Sequence, residues 1–401
     1  MPATLHVASR SPFNIAASTT WYTAGAITGL ATDTVEAVDQ HTARVAGTFS
    51  GLHAKVITND RAQSTFRFRV NGANGNQSLT IPASTTGEFS DLVNTDAVVD
   101  GDEFNYQMVS GAGGTTLDLS VLSVLFGSAG AYTVYRTITV TVTGSGTVSY
   151  ATPGGGQGNA TETLKQLKFK SAGTAKNLFA YVETNSRSTT STIRLRKNAA
   201  NGNGVLSIGA GTTGYFEDTS NTDSIAVDDL VNFSSTVGTG SGTFGAGIGI
   251  GFEATNQQQV SGTGPITVTT SQTRYGPIAG RVTDISTEAN IASDLTVPTV
   301  LSYLAIYVGT NTITASSTFR LRRNSANGNS VVTIAASTTG WFEDASNTDE
   351  LAATDDVNFS LVTGGTGTSL IYHTVSSLLT SVAAFQRSLN INQAVNRAST
   401  F

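Results

Sequence analysis

At 401 residues the chain is long enough for two to four domains, each with its own core. A net charge of −6, a pI near 5.2 and the lack of any Lys/Arg run argue against nucleic acid as the main partner. No stretch approaches the roughly 20 apolar residues of a membrane span, and the absence of cysteine excludes disulfides and thiolate metal sites.

Only 12% of the residues are charged, 42 are glycine, and Thr, Ser, Asn and Val recur throughout. β-Branched residues suit a pleated surface, and Gly and Asn suit tight turns, so the composition points to an all-β chain. A hydrophobic content of 39% is too high for a disordered polar chain.

In chain order, residues 13–22 (FNIAASTTWY) alternate and end in an aromatic, which reads as an opening strand. Residues 52–56 alternate again. Ser64–Val70 (STFRFRV) places Phe66, Phe68 and Val70 on one face and Thr65, Arg67 and Arg69 on the other, the pattern of a half-buried strand. Residues 71–76, rich in Asn and Gly, read as a hairpin turn. Residues 79–82 return, 85–87 turn, 88–89 begin a short strand, and 91–96 form a polar loop. Strands at 104–109 and 117–126 flank a turn at 111–114. No helical periodicity of useful length appears.

This series then recurs. RVNGANGN at residues 69–76 returns as RKNAANGN at 196–203 and RRNSANGN at 322–329, at offsets of 127 and 126. IPASTTGEFSDLVNTD (81–96) returns as IGAGTTGYFEDTSNTD (208–223) and IAASTTGWFEDASNTD (334–349). Further opening strands are expected at 138–150 and 266–275. The chain therefore divides into copies at residues 1–129, 130–257 and 258–384, with a tail at 385–401. A period near 127 is far above the 20–50 residues of a solenoid, so each copy is a domain. Roughly eight strands per copy at this spacing predict a sandwich or barrel.

The TTG-aromatic turn at 85–87, 212–214 and 338–340, and the acidic step before a strand at Gly101–Asp102, Asp228–Asp229 and Asp355–Asp356, carry a resemblance. Each copy resembles the jelly-roll head domains of the tumour-necrosis-factor and complement-type superfamily. It resembles even more the related domains of bacteriophage tail fibres and capsid decorations. The resemblance implies three tandem jelly-roll β-sandwiches, a trimer-forming fold used for display and attachment, and no catalytic residue.

Several residues could carry chemistry. Glu217, Asp218, Asn221 and Asp223, repeated as Glu343, Asp344, Asn347 and Asp349 and echoed by Glu88, Asp91, Asn94 and Asp96, offer the hard oxygens calcium needs. The favoured reading is that they cap a turn by bonding their own backbone. As paired carboxylates they would also suit glycoside hydrolysis, but three equivalent copies argue against it. Arg67 and Arg69, Arg194 and Arg196, and Arg320 and Arg322 recur on one strand face and are expected to fork onto the repeated acids, within or between copies. Trp21, Tyr215 and Trp341 are either sugar-stacking surfaces or core anchors, the latter being the commoner use. His6, His41, His53 and His373 occupy unrelated positions and are read as surface or satisfied polar groups. The glycines of 238–252 lack GKS or GKT, so they are read as a packing site rather than a phosphate loop.

The tail matches an opening strand: residues 387–401 align without gaps to 136–150. Arg387, Leu389, Ile391 and Phe401 are thus candidate assembly residues, a spare strand able to join a neighbouring sheet. The N-terminus has no basic start followed by an apolar core, so no secretory signal is expected. A non-enzymatic phage virion structural protein, made in a host cytoplasm, fits these features. It would partner with itself, other virion proteins and a host glycan, without cofactor. The alternative is a secreted or cell-surface adhesin binding glycans. Whether the copies form a string or a pseudo-threefold cluster stays open from sequence.

Overall fold

A computed structural model describes residues 3–29, 33–255, 257–281 and 285–381. Three jelly rolls follow one another, each a pair of facing sheets. In the first copy one sheet runs Thr28–Gly29, Ala3–Asn14, Leu117–Ser128, Gly47–Asn59, Gly87–Val98. The facing sheet runs Thr20–Thr23, Glu103–Val109, Ser64–Val70, Ala73–Ile81, with His41–Thr42 also laid on Glu103–Val109. First and last strands of the copy are neighbours, so the chain rolls up on itself as a double Greek key.

The second and third copies repeat this order. Ala131–Arg136 and Val140–Val142 both pair with Phe244–Ala254, which pairs with Gly173–Asn185 and then Gly214–Ile225. Gln258–Thr269 pairs with Gly367–Ser381, followed by Thr299–Ile313 and Gly340–Leu351.

Alternation explains the cores. Phe66 and Phe68 are fully buried in the first copy's core, where Phe49 lies 4.4 Å from Phe68, 4.8 Å from Phe104 and 4.5 Å from Phe126. Each buried phenylalanine contributes about 1.5–3 kcal/mol. Phe169–Phe252 (4.7 Å) and Phe319–Phe359 (5.2 Å) play this part in the other copies.

Three expectations need correcting. The opening stretch 13–22 is not one strand. Asn14 ends a strand in one sheet, Ser18 turns at φ 52°, and Thr20–Thr23 joins the other sheet. In the third copy Ser271 (φ 56°) makes the same corner. Alternation persists through the corner, so the pattern hides it. The polar segment 91–96 is likewise no loop but the bulged middle of the strand Gly87–Val98, where the register jumps from Leu52–Asp91 to Ser50–Thr95. Third, the hairpin turn is only Asn71–Gly72, both at positive φ (51° and 69°), and Ala73 already begins the next strand. One-turn helices also occur, at Glu36–Asp39, Glu162–Lys165 and Glu288–Asn290, too short for any periodicity to show.

Candidate assembly sites: an arginine clamp in each copy and three seams

The repeated arginines form the most regular site. Arg69 donates from Nε and a terminal nitrogen to both carboxylate oxygens of Glu36, at 2.8 Å each, and also to Asn74 Oδ1 at 2.6 Å and to the Gly72 carbonyl. Arg196 repeats this with Glu162 (2.7 and 3.0 Å), Asn201 (2.6 Å) and the Ala199 carbonyl. Arg322 does so with Glu288 (2.8 and 2.9 Å), Asn327 (2.5 Å) and the Ser325 carbonyl. The bidentate Glu bond raises each guanidinium's pKa. Each fork ties a one-turn helix to the tip of the hairpin.

The expected partner was the acidic turn; the structure instead supplies Glu36, Glu162 and Glu288. Their signal was present, because these glutamates stand 126 residues apart, within one residue of the repeat offsets of 127 and 126. Arg67, Arg194 and Arg320 lie half-buried two residues earlier on the same strands and make no such fork among the described residues.

The acidic turn has its own work. Asp218 accepts from the backbone N–H of Ser220 and Asn221 (3.1 Å each) and Val205 (3.0 Å), and from Asn221 Nδ2 (2.9 Å). Asp344 does the same with Ser346, Asn347 and Val331. Asp223 accepts from Asn203 and Gly204, and Asp349 from Asn329 and Ser330. These carboxylates satisfy the N–H groups that the bulge takes out of the ladder. Burial opposes ionisation of Asp218 and Asp344, yet the hydrogen bonds outweigh it and hold both below the usual range.

Glu217 and Glu343 point elsewhere, across the boundaries between copies. Arg44 of the first copy forks onto Glu217 of the second, with Nε to Oε1 at 2.8 Å. Lys168 and Lys170 of the second copy grip Glu343 of the third, at 2.6 and 2.7 Å. In the third copy Asp294 donates its backbone N–H to Glu88 of the first, at 3.2 Å. These contacts are quasi-equivalent. Thr42, Lys168 and Asp294 are each the second residue of a two-residue strand in the same register. Each faces the strand that opens at Gly87, Gly214 or Gly340 of the next copy. The copies therefore meet head to tail, first on second, second on third and third on first. Such heterologous contacts close a ring when the rotation permits, and here they close within one chain.

The first seam combines backbone pairing, a buried ion pair and aromatic packing. Ile27 bridges Tyr135 in parallel, donating to Val134 O (2.9 Å) and accepting from Arg136 N (3.0 Å). Arg136 pairs with buried Asp39 at 2.7 Å and caps the Val38 carbonyl at 2.6 Å. Burial raises Asp39 to about 6 against the pull of Arg136. Phe179, Tyr132 and Val134 join the first copy's core, and the buried His41 ring lies 5.1 Å from Phe179. Burial keeps His41 neutral, its pKa well below the usual value. The glycine-rich strand makes this packing possible. A Cβ at Gly249 would stand 2.2 Å from Phe179, at Gly251 2.0 Å from Tyr132, and at Gly247 2.6 Å from Arg136. The packing role read for these glycines thus acquires its partners.

Adjacent glutamines serve the other two seams. Successive strand residues point to opposite faces, so Gln259 reaches the second copy and Gln258 the first. Gln259 Oε1 accepts from Lys170 N at 2.8 Å, and its Nε2 donates to Lys168 O at 3.3 Å. Gln258 Oε1 accepts from Leu5 N at 2.7 Å, and its Nε2 donates to Leu5 O at 2.6 Å. Each amide mimics a ladder step. No pattern in the sequence distinguished these two from surface polar residues.

The remaining candidates fall into structural places. Tyr215 stacks on Phe179 and hydrogen-bonds Thr42 across the first seam, Trp341 packs 5.4 Å from Tyr307, and Trp21 lies against the first copy's core. All four histidines are buried rather than at the surface. His6 binds the Gly25 carbonyl at 2.9 Å and is lowered by burial to about 4. Arg387, Leu389, Ile391 and Phe401 lie outside the described residues.

Fold and site together define a chain of three jelly rolls closed into a pseudo-threefold ring. No protein-family model matches it, and no curated protein does. Among solved structures it is similar to one reported for the triple jelly-roll fold and turret assembly of an archaeal virus. That match has 15% identity and a TM-score of 0.22, covering 95% of this chain and 91% of that one. A second comes from the atomic structure of Sulfolobus Turreted Icosahedral Virus, at 15% identity and a TM-score of 0.21, covering 84% and 81%. At these TM-scores the likeness carries no argument, and the fold rests on the sheets described above.

Proposed function

We propose that the chain is a non-enzymatic structural component of a virion, a decoration, fibre or appendage built around its jelly-roll ring. The observation that carries this reading is where its charged groups are spent. The repeated arginines clamp hairpins, the repeated aspartates cap bulges, and Glu217 and Glu343 join copies. Catalysis needs groups held for a substrate, whereas here they are consumed in making one rigid body. Partners on this reading are further copies of the chain and other virion proteins, with host-surface glycan at the exposed faces. The tail at 385–401, as a spare strand, is proposed to dock on a neighbouring subunit.

The test is location. Antibody raised against the recombinant chain is used to probe a density gradient of the source culture's lysate. The chain is expected to co-sediment with particles; recovery in the cell envelope or in the soluble medium instead would favour an adhesin.

A further inference from the structure

The three seams differ in charge at one equivalent position. In the second seam Lys168 meets Glu343, and in the first Thr42 meets Tyr215 while Arg44 meets Glu217 two residues on. In the third seam the place of Lys168 is taken by Asp294, and what faces it is Glu88. Asp356, paired with Asp294 in the same sheet, adds a third carboxylate. Oxygen atoms of Glu88, Asp294 and Asp356 lie within 4.8 Å of one another, contributed by two copies.

This is also the seam that no peptide connection holds. The first and second copies are joined between Ser128 and Ala131, and the second and third between Ala254 and Gln258; the third meets the first only through side chains and backbone contacts. Its packing leaves gaps. Two small apolar grooves run along it, one lined by Leu5, Val121, Ile278 and Leu295, the other by Leu5, Leu125, Val297 and Leu379.

We propose that this third seam is an acid-tightened joint: the ring is most firmly closed when the carboxylates of Asp294 and Asp356 share protons, and it loosens as they ionise. The groups facing the cluster are His53 and Lys55, from the strand beside Glu88. Lys55 donates to Glu88 Oε1 at 2.7 Å and His53 Nε2 lies 3.0 Å from Oε2. Burial opposes ionisation of Glu88, but His53 and Lys55 prevail and hold it down to about 2. Glu88 is therefore a fixed negative charge. Asp294 and Asp356 are raised, first by burial and then by the charge of Glu88 beside them. Opening the seam would return both to water and to ordinary carboxylate values. The sign follows. A carboxyl whose pKa is higher in the closed state contributes closure that is full below its open-state value and is lost as pH rises through the closed-state value.

Amide hydrogen exchange of the full chain tests this, with the second seam as internal control. Reporters are Leu5 N–H and Asp294 N–H, which bond across the third seam, and Lys170 N–H, which bonds across the second. Exchange is corrected for its intrinsic pH dependence. From about pH 4.5 to about pH 7.5, Leu5 and Asp294 should lose about tenfold in protection for each unit by which closure raises a carboxyl pKa. Lys170 should change by less than about twofold, since Lys170 and Asp228 are shifted toward their charged forms. Asp294→Lys gives the third seam the charge pattern of the second and should abolish the pH response of Leu5. Asp356→Asn should reduce that response while leaving the seam closed. Equal pH responses at Leu5 and Lys170, or a Leu5 response unchanged in Asp294→Lys, would overturn the proposal.

Discussion

Inside each copy the same clamp recurs almost atom for atom, whereas the seams between copies share only some of their contacts: a cation on an equivalent glutamate joins the first two, at Arg44–Glu217 and Lys170–Glu343, and a glutamine ladder step joins the last two. Arg69, Arg196 and Arg322 each bind a glutamate, an asparagine and a hairpin carbonyl in one geometry. The first seam uses a buried Arg136–Asp39 pair and an aromatic cluster. The second uses two lysines on Glu343, and the third a glutamine ladder step beside opposed carboxylates. What repeats is what each copy needs to fold. What has diverged is what tells one copy from another, and it fixes their order around the ring.

The contrast breaks hardest at the first seam. Replacing Arg136 by Ala strands Asp39 in a buried site and should cost about 3–5 kcal/mol in urea unfolding at neutral pH. The loss should shrink on acidification below about pH 6, because Asp39 is already raised to about 6 and a protonated Asp39 needs no cation. A double Asp39→Leu, Arg136→Met variant should recover most of the stability.

Next come the clamps, where equivalence is the point. Arg69→Ala, Arg196→Ala and Arg322→Ala should each cost about 1–2 kcal/mol, discounted for partial exposure, and should agree within about 0.5 kcal/mol. A large spread, read by urea unfolding, would mean the three copies are not independent equivalents.

Smaller still is the hairpin tip. Gly72 sits at φ 69°, and its counterparts Ala199 and Ser325 hold φ 61° and 59°, a region costly for residues with a Cβ. The clamp's bond to the carbonyl of each tip residue holds them there. Ala199→Gly and Ser325→Gly should each stabilise by about 0.5–1 kcal/mol, part of the relief being offset by unfolded-state entropy. Smallest of all is chelation. With Asp218 and Asp344 filled by N–H donors, EDTA should move the melting midpoint by less than about 1 °C; a drop of several degrees would restore the calcium reading.

How much of this could be read beforehand follows the same divide. The repeat, the all-β class and the strand Ser64–Val70 were legible because each rests on period-2 burial or on a motif copied three times. The corner at Ser18 was not, because alternation runs through it unchanged while the backbone changes sheets. The strand Gly87–Val98 looked like a loop because its bulge is lined with Asp and Asn, which serve the backbone rather than the solvent. Glu36 was readable only by applying the repeat offset to single residues. The seams were not readable, since the cation at Arg44 recurs only once, as Lys170, Lys168 stands where the other copies have Thr42 and Asp294, and the partners of all of them lie in another copy.

Small-angle scattering of the monomeric chain tests the closed ring most directly. A compact body of 401 residues has a radius of gyration of about 22 Å, while three such domains in a string would exceed about 30 Å. The ring predicts the smaller value near pH 5, where the third seam is tightest. A value above about 30 Å at that pH would contradict it.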